Sequence, residues 1–111
     1  MSESSKLEQV IKMVKVDSLK INEHYYLFVT LALPGFTTRL IYCTGGILFD
    51  ESWSLDKVGM RCRVPVCIGK GKTDEELLNN PILDYSFQAE KKGIHSKMCG
   101  KEALLQMVNE N

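Results

Sequence analysis

Four cysteines and two histidines are the side chains of this sequence that could act as nucleophiles, general bases or soft metal ligands. They are Cys43, Cys62, Cys67, Cys99, His24 and His95. A structural zinc site normally needs two close ligands and a second pair at a set spacing. Cys62 and Cys67 have four residues between them, and the other four side chains are isolated along the chain. The spacing therefore predicts no metal site, and no cofactor is expected.

Cys99 and His95 are the candidate catalytic residues. Cys99 directly precedes Gly100, where the segment GKEALLQMVN is predicted to begin a helix. The free amides and dipole of a helix N-terminus favour negative charge, so Cys99 is predicted to be the most reactive thiol. His95 lies in a predicted loop, and no partner that would make it a general base can be identified. The simpler interpretation is that Cys99 fills an N-cap position and that His95 is solvated.

Four basic residues are the candidate ligands for a small anion. They follow one predicted strand and the turn after it, and they are Arg61, Arg63, Lys70 and Lys72. A basic strip of this kind could attract an anionic ligand. Charged residues that protect an edge strand from pairing give the same pattern. Pro65 in the middle of this strand places it at an edge or at a bulge, because proline cannot donate a ladder hydrogen bond. Of the two interpretations of the charges, the edge strand is preferred.

The segment Gly71-Lys72-Thr73 is similar to the end of a phosphate-binding loop. Such a loop needs another glycine five residues before Gly71, and that position is Val66. A turn followed by a capping box explains the same residues, since Thr73 can cap the amide of Glu76. We therefore expect no specific nucleotide binding.

The composition is that of one ordinary globular domain over residues 1–111. Fourteen basic residues balance fourteen acidic ones, which gives no electrostatic reason to bind nucleic acid or an anionic membrane. No apolar run approaches the ~18 residues of a membrane-spanning helix. The polar start, residues 1–9, is expected to be a disordered tail rather than a signal peptide. Cysteines without an export signal favour reduced thiols in the cytoplasm.

Hydrophobic periodicity and turn residues predict an α+β fold. Strands are predicted at 10–16, 24–33, 38–43, 47–49, 61–68 and 82–85, and helices at 50–58, 73–79, 86–92 and 100–109. We expect two layers, with a mostly antiparallel sheet of about five strands and three or four short helices. Segment 24–33 is almost entirely apolar or aromatic, which predicts a central strand covered on both faces. One small subunit offers little to cover both faces, so self-association is expected.

The order of these elements resembles the YunC-like family, a domain of unknown function from bacteria and archaea. The matching residues are Leu33-Pro34, Gly46, Thr73, Leu77-Leu78, Pro81, Ala89-Glu90, Gly93-Ile94, Met98, Gly100, Glu102-Ala103-Leu104 and Met107. The family often has a Cys-Gly pair after the strand that follows the glycine turn, whereas this chain has Asp50-Glu51 there. Any role of that cysteine therefore cannot be transferred. The resemblance implies the fold and names no activity.

Two functions from different classes fit these observations. The first is a small cytoplasmic binding or interaction protein that forms homo-oligomers and takes a small anionic ligand. The alternative is a small-molecule enzyme that uses a cysteine or histidine in a cleft between subunits. A copurified ligand would favour the first, and a thiol of unusual reactivity would favour the second.

Overall fold

Six strands form one sheet in which the order of strands in space is their order along the chain. The structure is a computed structural model, and it describes residues 13–21, 23–58 and 63–108. The strands are β1 (Val14–Ile21), β2 (His24–Leu33), β3 (Phe36–Cys43), β4 (Gly46–Phe49), β5 (Val66–Ile68) and β6 (Asp84–Tyr85). Strands β4 and β5 are parallel, and every other neighbouring pair is antiparallel.

The described helices all follow the first four strands. They are the single turn α1 (Leu55–Val58), α2 (Asp74–Asn79), α3 (Phe87–Lys91) and α4 (Gly100–Val108). In the described part of the chain, no helix has the length and apolar character needed to cross a membrane. The predicted α+β class is confirmed, with six strands in the sheet rather than about five. The bounds of β2 are those predicted from the sequence.

The predicted edge position of the strand around Pro65 is wrong. Strand β5 lies inside the sheet, between β4 and β6. Pro65 stands just before β5, where its carbonyl accepts a hydrogen bond from the Ile47 amide at 3.0 Å. Proline is tolerated there because no N–H is required of it. Arg61 and Cys62, which the prediction also included, lie outside the described residues.

Strand register assigns each side chain to one of two faces. Paired residues share a face and successive residues alternate, so Phe28, Ile41, Leu48 and Cys67 lie together. This side, which we call the helix face, carries the larger buried cluster. Its members are Tyr26, Ile41, Cys43, Leu48 and Cys67 from the sheet with Leu77, Ile82, Ala89, Ile94, Ala103, Leu104 and Met107. Each large aliphatic side chain buried in this way contributes roughly 1.5–3 kcal/mol.

The opposite side, which we call the open face, is covered by this chain only in part. Phe49, Val66 and Ile68 are buried there under Leu55 of α1. The Trp53 ring packs on Phe49 with 5.2 Å between ring centroids. Over β1–β3 many of the open-face side chains remain exposed, including Val16 at 56% and Tyr25 at 61%, whereas Thr38 is buried. Within the described residues, β2 is therefore covered fully on the helix face only, because helices α2–α4 pack there.

The contact between α2 and α4 depends on a glycine. Gly100 is the first residue of α4, and its amide donates to the Asn80 carbonyl at 3.2 Å. A Cβ at position 100 would collide with the backbone carbonyl oxygen of Leu77. Backbone atoms cannot move aside as a flexible side chain can, so this position requires glycine.

We predict that Gly100→Ala destabilises the fold by about 2–3 kcal/mol, because it overpacks the α2–α4 contact. Helix propensity alone would predict the opposite effect, an increase of about 1 kcal/mol in the free energy of unfolding. The measurement is urea unfolding followed by Trp53 fluorescence. Lys101→Ala, at an exposed neighbouring position, should change stability by less than about 0.5 kcal/mol. A Gly100→Ala variant as stable as the unmodified protein would contradict the close packing of the two helices.

Candidate functional site

A polar cleft of about 410 Å³ opens where β3 and β4 meet the turn before α2. It is lined by Thr37, Arg39, Asp50, Glu51, Ser52, Gly71 and Lys72. Thr37 and Arg39 come from β3, Asp50 follows β4 directly, and the last two residues belong to the turn. Arg39 projects on the helix face, in register with the buried Ile41 and Cys43 two and four positions later. The cleft therefore begins where that face changes from apolar to polar.

The Asp50 carboxylate fixes the geometry of the cleft. Its Oδ2 accepts a hydrogen bond from the Arg39 amide at 2.9 Å. Its Oδ1 accepts from the Thr38 hydroxyl at 3.1 Å and from the Ser52 amide at 2.9 Å. The residue is only 4% exposed, so these three donors replace the water that a carboxylate would otherwise need. Asp50 is thereby engaged in holding the chain, and the charged groups of the lining that remain available to a ligand are Arg39, Lys72 and Glu51.

A hydrogen-bond relay connects the cleft to the open face. The Trp53 indole Nε1 donates to the Thr38 hydroxyl at 2.7 Å, and the same hydroxyl donates to Asp50. Trp53 also packs on Phe49. The side chains of Trp53, Thr38 and Asp50 therefore form a continuous chain of hydrogen bonds between the open face and the cleft.

The turn before α2 places Lys72 at the rim of the cleft. The Thr73 hydroxyl accepts from the Glu76 amide at 3.1 Å, which confirms the predicted N-cap. The Glu76 carboxylate accepts from the Lys72 amide at 3.2 Å, one residue before the cap itself. A Cβ on Gly71 would lie 2.6 Å from the Leu77 amide nitrogen, so glycine lets the turn pass against the helix. The position of Lys72 is thus set by the cap of α2.

The charges around the cleft are mixed in sign. Arg39 Nε lies 3.9 Å from Asp74 Oδ1, close enough for an ion pair and too long for a hydrogen bond. Within the described ranges, Asp74 Oδ1 is buried without a hydrogen-bond partner. Glu51 is exposed. The cleft lining therefore carries two cationic groups, Arg39 and Lys72, and two carboxylates, Asp50 and Glu51, while Asp74 pairs with Arg39 from outside the lining.

Of the predicted basic strip, the cleft contains one member. Lys72 lines it, whereas Lys70 and Arg63 are exposed and do not. The Lys70 carbonyl accepts from the Asn80 side chain at 2.8 Å, which fixes the backbone of the turn. Arg61 lies outside the described residues. Sequence reasoning missed Arg39, whose signal was a single charge inside the apolar strand segment TRLIYC.

Cys99 and His95 lie at the start of α4, away from the polar cleft lining. The Glu102 carboxylate accepts from the Cys99 amide at 3.2 Å and from the Cys99 thiol, and these two bonds lower the pKa of Glu102. His95 Nδ1 accepts from the Lys97 amide at 3.3 Å. The thiol is therefore hydrogen-bonded to a carboxylate rather than to a histidine, and Glu102 serves as the reciprocal partner of a cap.

The other two described thiols are buried in the core. Burial raises the pKa of Cys43, and it raises the pKa of Cys67 to about 12. The Cys43 thiol donates to the Gly46 carbonyl at 3.4 Å. Over the described ranges, no group of three or more His, Cys, Asp or Glu side chains is arranged to hold a metal ion. Cys62 lies outside those ranges.

Comparison with known proteins bears on the fold alone. The fold is similar to the crystal structure of a protein of unknown function, TA1206 from Thermoplasma acidophilum. The TM-score is 0.74 with 21% sequence identity, over 86% of this chain and 93% of that one. No protein-family model matches the chain, and no curated protein matches it in sequence. The function of this chain must therefore be argued from its own site.

We predict that Cys99 is alkylated at least ~100-fold faster than Cys43 or Cys67, because it alone of the three is partly exposed and burial keeps the other two thiols neutral. The measurement is limited iodoacetamide labelling at neutral pH, followed by peptide mass spectrometry. In urea, where burial is lost, the rates should converge. Faster labelling of either buried thiol in the folded protein would contradict the core as described.

Proposed function

We propose that this chain is a homo-oligomeric binding protein that takes a small anionic ligand in the polar cleft. The observation that carries the proposal is the convergence of Arg39 and Lys72, from two different elements, on one cleft. The volume of about 410 Å³ suits a small ligand. A guanidinium presents a planar fork of donors that matches a carboxylate, and an ammonium adds a second charge.

The anion in this proposal also carries a hydrogen-bond donor. The Glu51 carboxylate lines the cleft and is exposed, so it can accept a hydrogen bond from a ligand. A hydroxyl or amino group next to the ligand carboxylate would donate to it. Chloride and sulfate lack such a group. Small hydroxy- or amino-carboxylates are therefore the proposed ligand class.

Self-association is proposed to occur through the open face of β1–β3. Every second residue of the three strands places its side chain on this face. The described ones are Val14, Val16, Ser18, Lys20, Tyr25, Leu27, Val29, Leu31, Leu33, Phe36, Thr38, Leu40 and Tyr42. Lys20 is the single charged residue among them. Large contiguous apolar patches on a protein surface usually mark an interaction site.

The size and symmetry of the open face favour a second copy as its partner. A ten-residue strand is about 33 Å long and three strands span about 14 Å, so the face covers roughly 450 Å² in projection. Because side chains project from the sheet, the accessible surface of the face is larger than its projected area. It approaches the ~600–1,000 Å² that each partner buries in a standard interface. A nearly uncharged patch can pair with itself about a two-fold axis without meeting like charges. The helices and sheet would then form two layers, with the copies packed sheet to sheet.

The YunC-like relationship and a cytoplasmic location are part of the same proposal. Several residues that carry the resemblance have structural roles here: Thr73 caps α2, Leu77 and Gly100 lie at the α2–α4 contact, and Glu102 caps α4. Roles of that kind support a shared fold. The free thiols of the described cysteines suit a reducing compartment.

We predict that Lys72→Ala weakens ligand binding about tenfold, since it removes one charge-assisted hydrogen bond. Lactate, malate and glutamate are titrated into the full chain and followed by amide NMR shifts, with acetate and sulfate as anions that lack the hydroxyl or amino donor. Shifts should concentrate on the 71–74 turn and Arg39. Lys70→Ala is the matched control on the same turn, with an expected change under about twofold. Equal losses in both variants, or no anion-induced shifts in this cleft, would refute the ligand site.

We predict that Leu27→Glu converts the oligomer to monomers, because it places a charge in the centre of the open face. Light scattering after size exclusion, at tens of micromolar protein, measures the mass. Leu83→Glu is the control: Leu83 is more exposed at 54% but lies outside β1–β3. The control should retain the mass of the unmodified protein, and circular dichroism should show both variants folded. A monomeric unmodified protein would disprove self-association and would leave the ligand proposal standing.

A further inference from the structure

We propose, on the basis of the binding function proposed above, that the polar cleft selects α-amino acids over hydroxy acids of the same shape. In this proposal Glu51 pairs with the ligand ammonium, while Arg39 and Lys72 hold the ligand carboxylate. All three side chains line the cleft. They come from three separate segments, since Arg39 is on β3, Glu51 follows β4 and Lys72 precedes α2.

Two opposite charges of the cleft lining have no ion-pair partner within the part of the chain that the structure describes. They are the Glu51 carboxylate and the Lys72 ammonium. The ion pairs in that part join Lys15 to Asp17, Lys20 to Glu23 and Arg39 to Asp74. Glu51 and Lys72 therefore do not close on each other, although both are exposed in the same cleft. A ligand that carries both charges could bridge them.

The other charged groups of the lining differ in how far they are already engaged. Asp50 is buried, and its two oxygens accept from Thr38, Arg39 and Ser52. The Arg39 guanidinium has one carboxylate oxygen at 3.9 Å from Nε, and a guanidinium has five N–H donors, so donors remain for a ligand. The accessible groups are thus two cations and the single carboxylate of Glu51.

The charge balance of the lining favours a zwitterion. Two cationic and two anionic side chains give the lining a formal charge of zero. A ligand with a carboxylate alone is attracted by Arg39 and Lys72 and repelled by Glu51 and Asp50. An α-amino acid at neutral pH supplies an ammonium as well, which forms a charge-assisted hydrogen bond with Glu51. A hydroxyl in the same place donates a weaker bond, because only one of its two partners is charged.

The remaining lining residues limit the side chain of the ligand. They are Thr37, Ser52 and Gly71. Among the described residues that line the cleft, none has an apolar side chain, so a large apolar group on the ligand would gain little by burial. The ligand class is therefore an α-amino acid with a small or polar side chain.

The test titrates two matched pairs into the full chain, alanine with lactate and aspartate with malate. The members of each pair differ in having an ammonium or a hydroxyl. Amide NMR shifts of Arg39, the 50–52 segment and the 71–74 turn should give affinities at least about fivefold tighter for the amino acids. Cleft shifts with equal or tighter binding of the hydroxy acids would overturn the selectivity and leave the anion site standing. Absence of cleft shifts with all four compounds would remove both.

Glu51→Gln tests whether the carboxylate is the group that selects. Glutamine keeps the size and an acceptor oxygen and removes the charge. The variant should bind alanine and aspartate at least about fivefold more weakly, and lactate and malate equally or more tightly because a repulsion is lost. Glu90→Gln, exposed on α3 and outside the cleft lining, is the matched control and should change neither. Equal losses for both ligand classes in Glu51→Gln, or no loss for the amino acids, would contradict the proposed role of Glu51.

Discussion

The alternation of side chains across β1–β3 is the constraint on which the rest of the structure depends. A one-residue shift in register would exchange the two faces, so burial of Tyr26, Ile41 and Cys43 under α4 also decides which side chains lie on the open face. Along the helix face, the same strands change from apolar residues beneath α4 to Arg39 and Thr37 beyond it. The polar cleft is thus one end of the helix face, and the open face is its necessary complement.

Local interactions explain why much of the fold could be predicted from the sequence. The strand β2 is bounded by turn residues, and the caps of α2 and α3 at Thr73 and Ser86 involve neighbours only three residues away. The position of β5 could not be predicted, because proline occurs both at edges and just before inner strands. Ser86 shows the same limit: its hydroxyl also accepts from the Val66 amide, twenty residues away, at 3.0 Å.

The candidate site was harder to predict because its members are brought together by tertiary structure. Lys72 was identified within a run of basic residues, yet its partner in the cleft is Arg39, on a strand thirty-three positions earlier in the chain. Lys70 and Arg63 are close to Lys72 in sequence and do not line the cleft. Asp74 was assigned to the first turn of a helix, and its proximity to Arg39 follows from how α2 docks on the sheet.

Asp50 shows how one carboxylate limits the chemistry available at the cleft. In this chain the carboxylate accepts three hydrogen bonds from Thr38, Arg39 and Ser52. A thiol is a weak acceptor and could not satisfy three donors, so the surrounding chain is built for an anion. Because those bonds already engage both oxygens, Asp50 shapes the cleft, and in the proposed function recognition of the anion is left to Arg39 and Lys72.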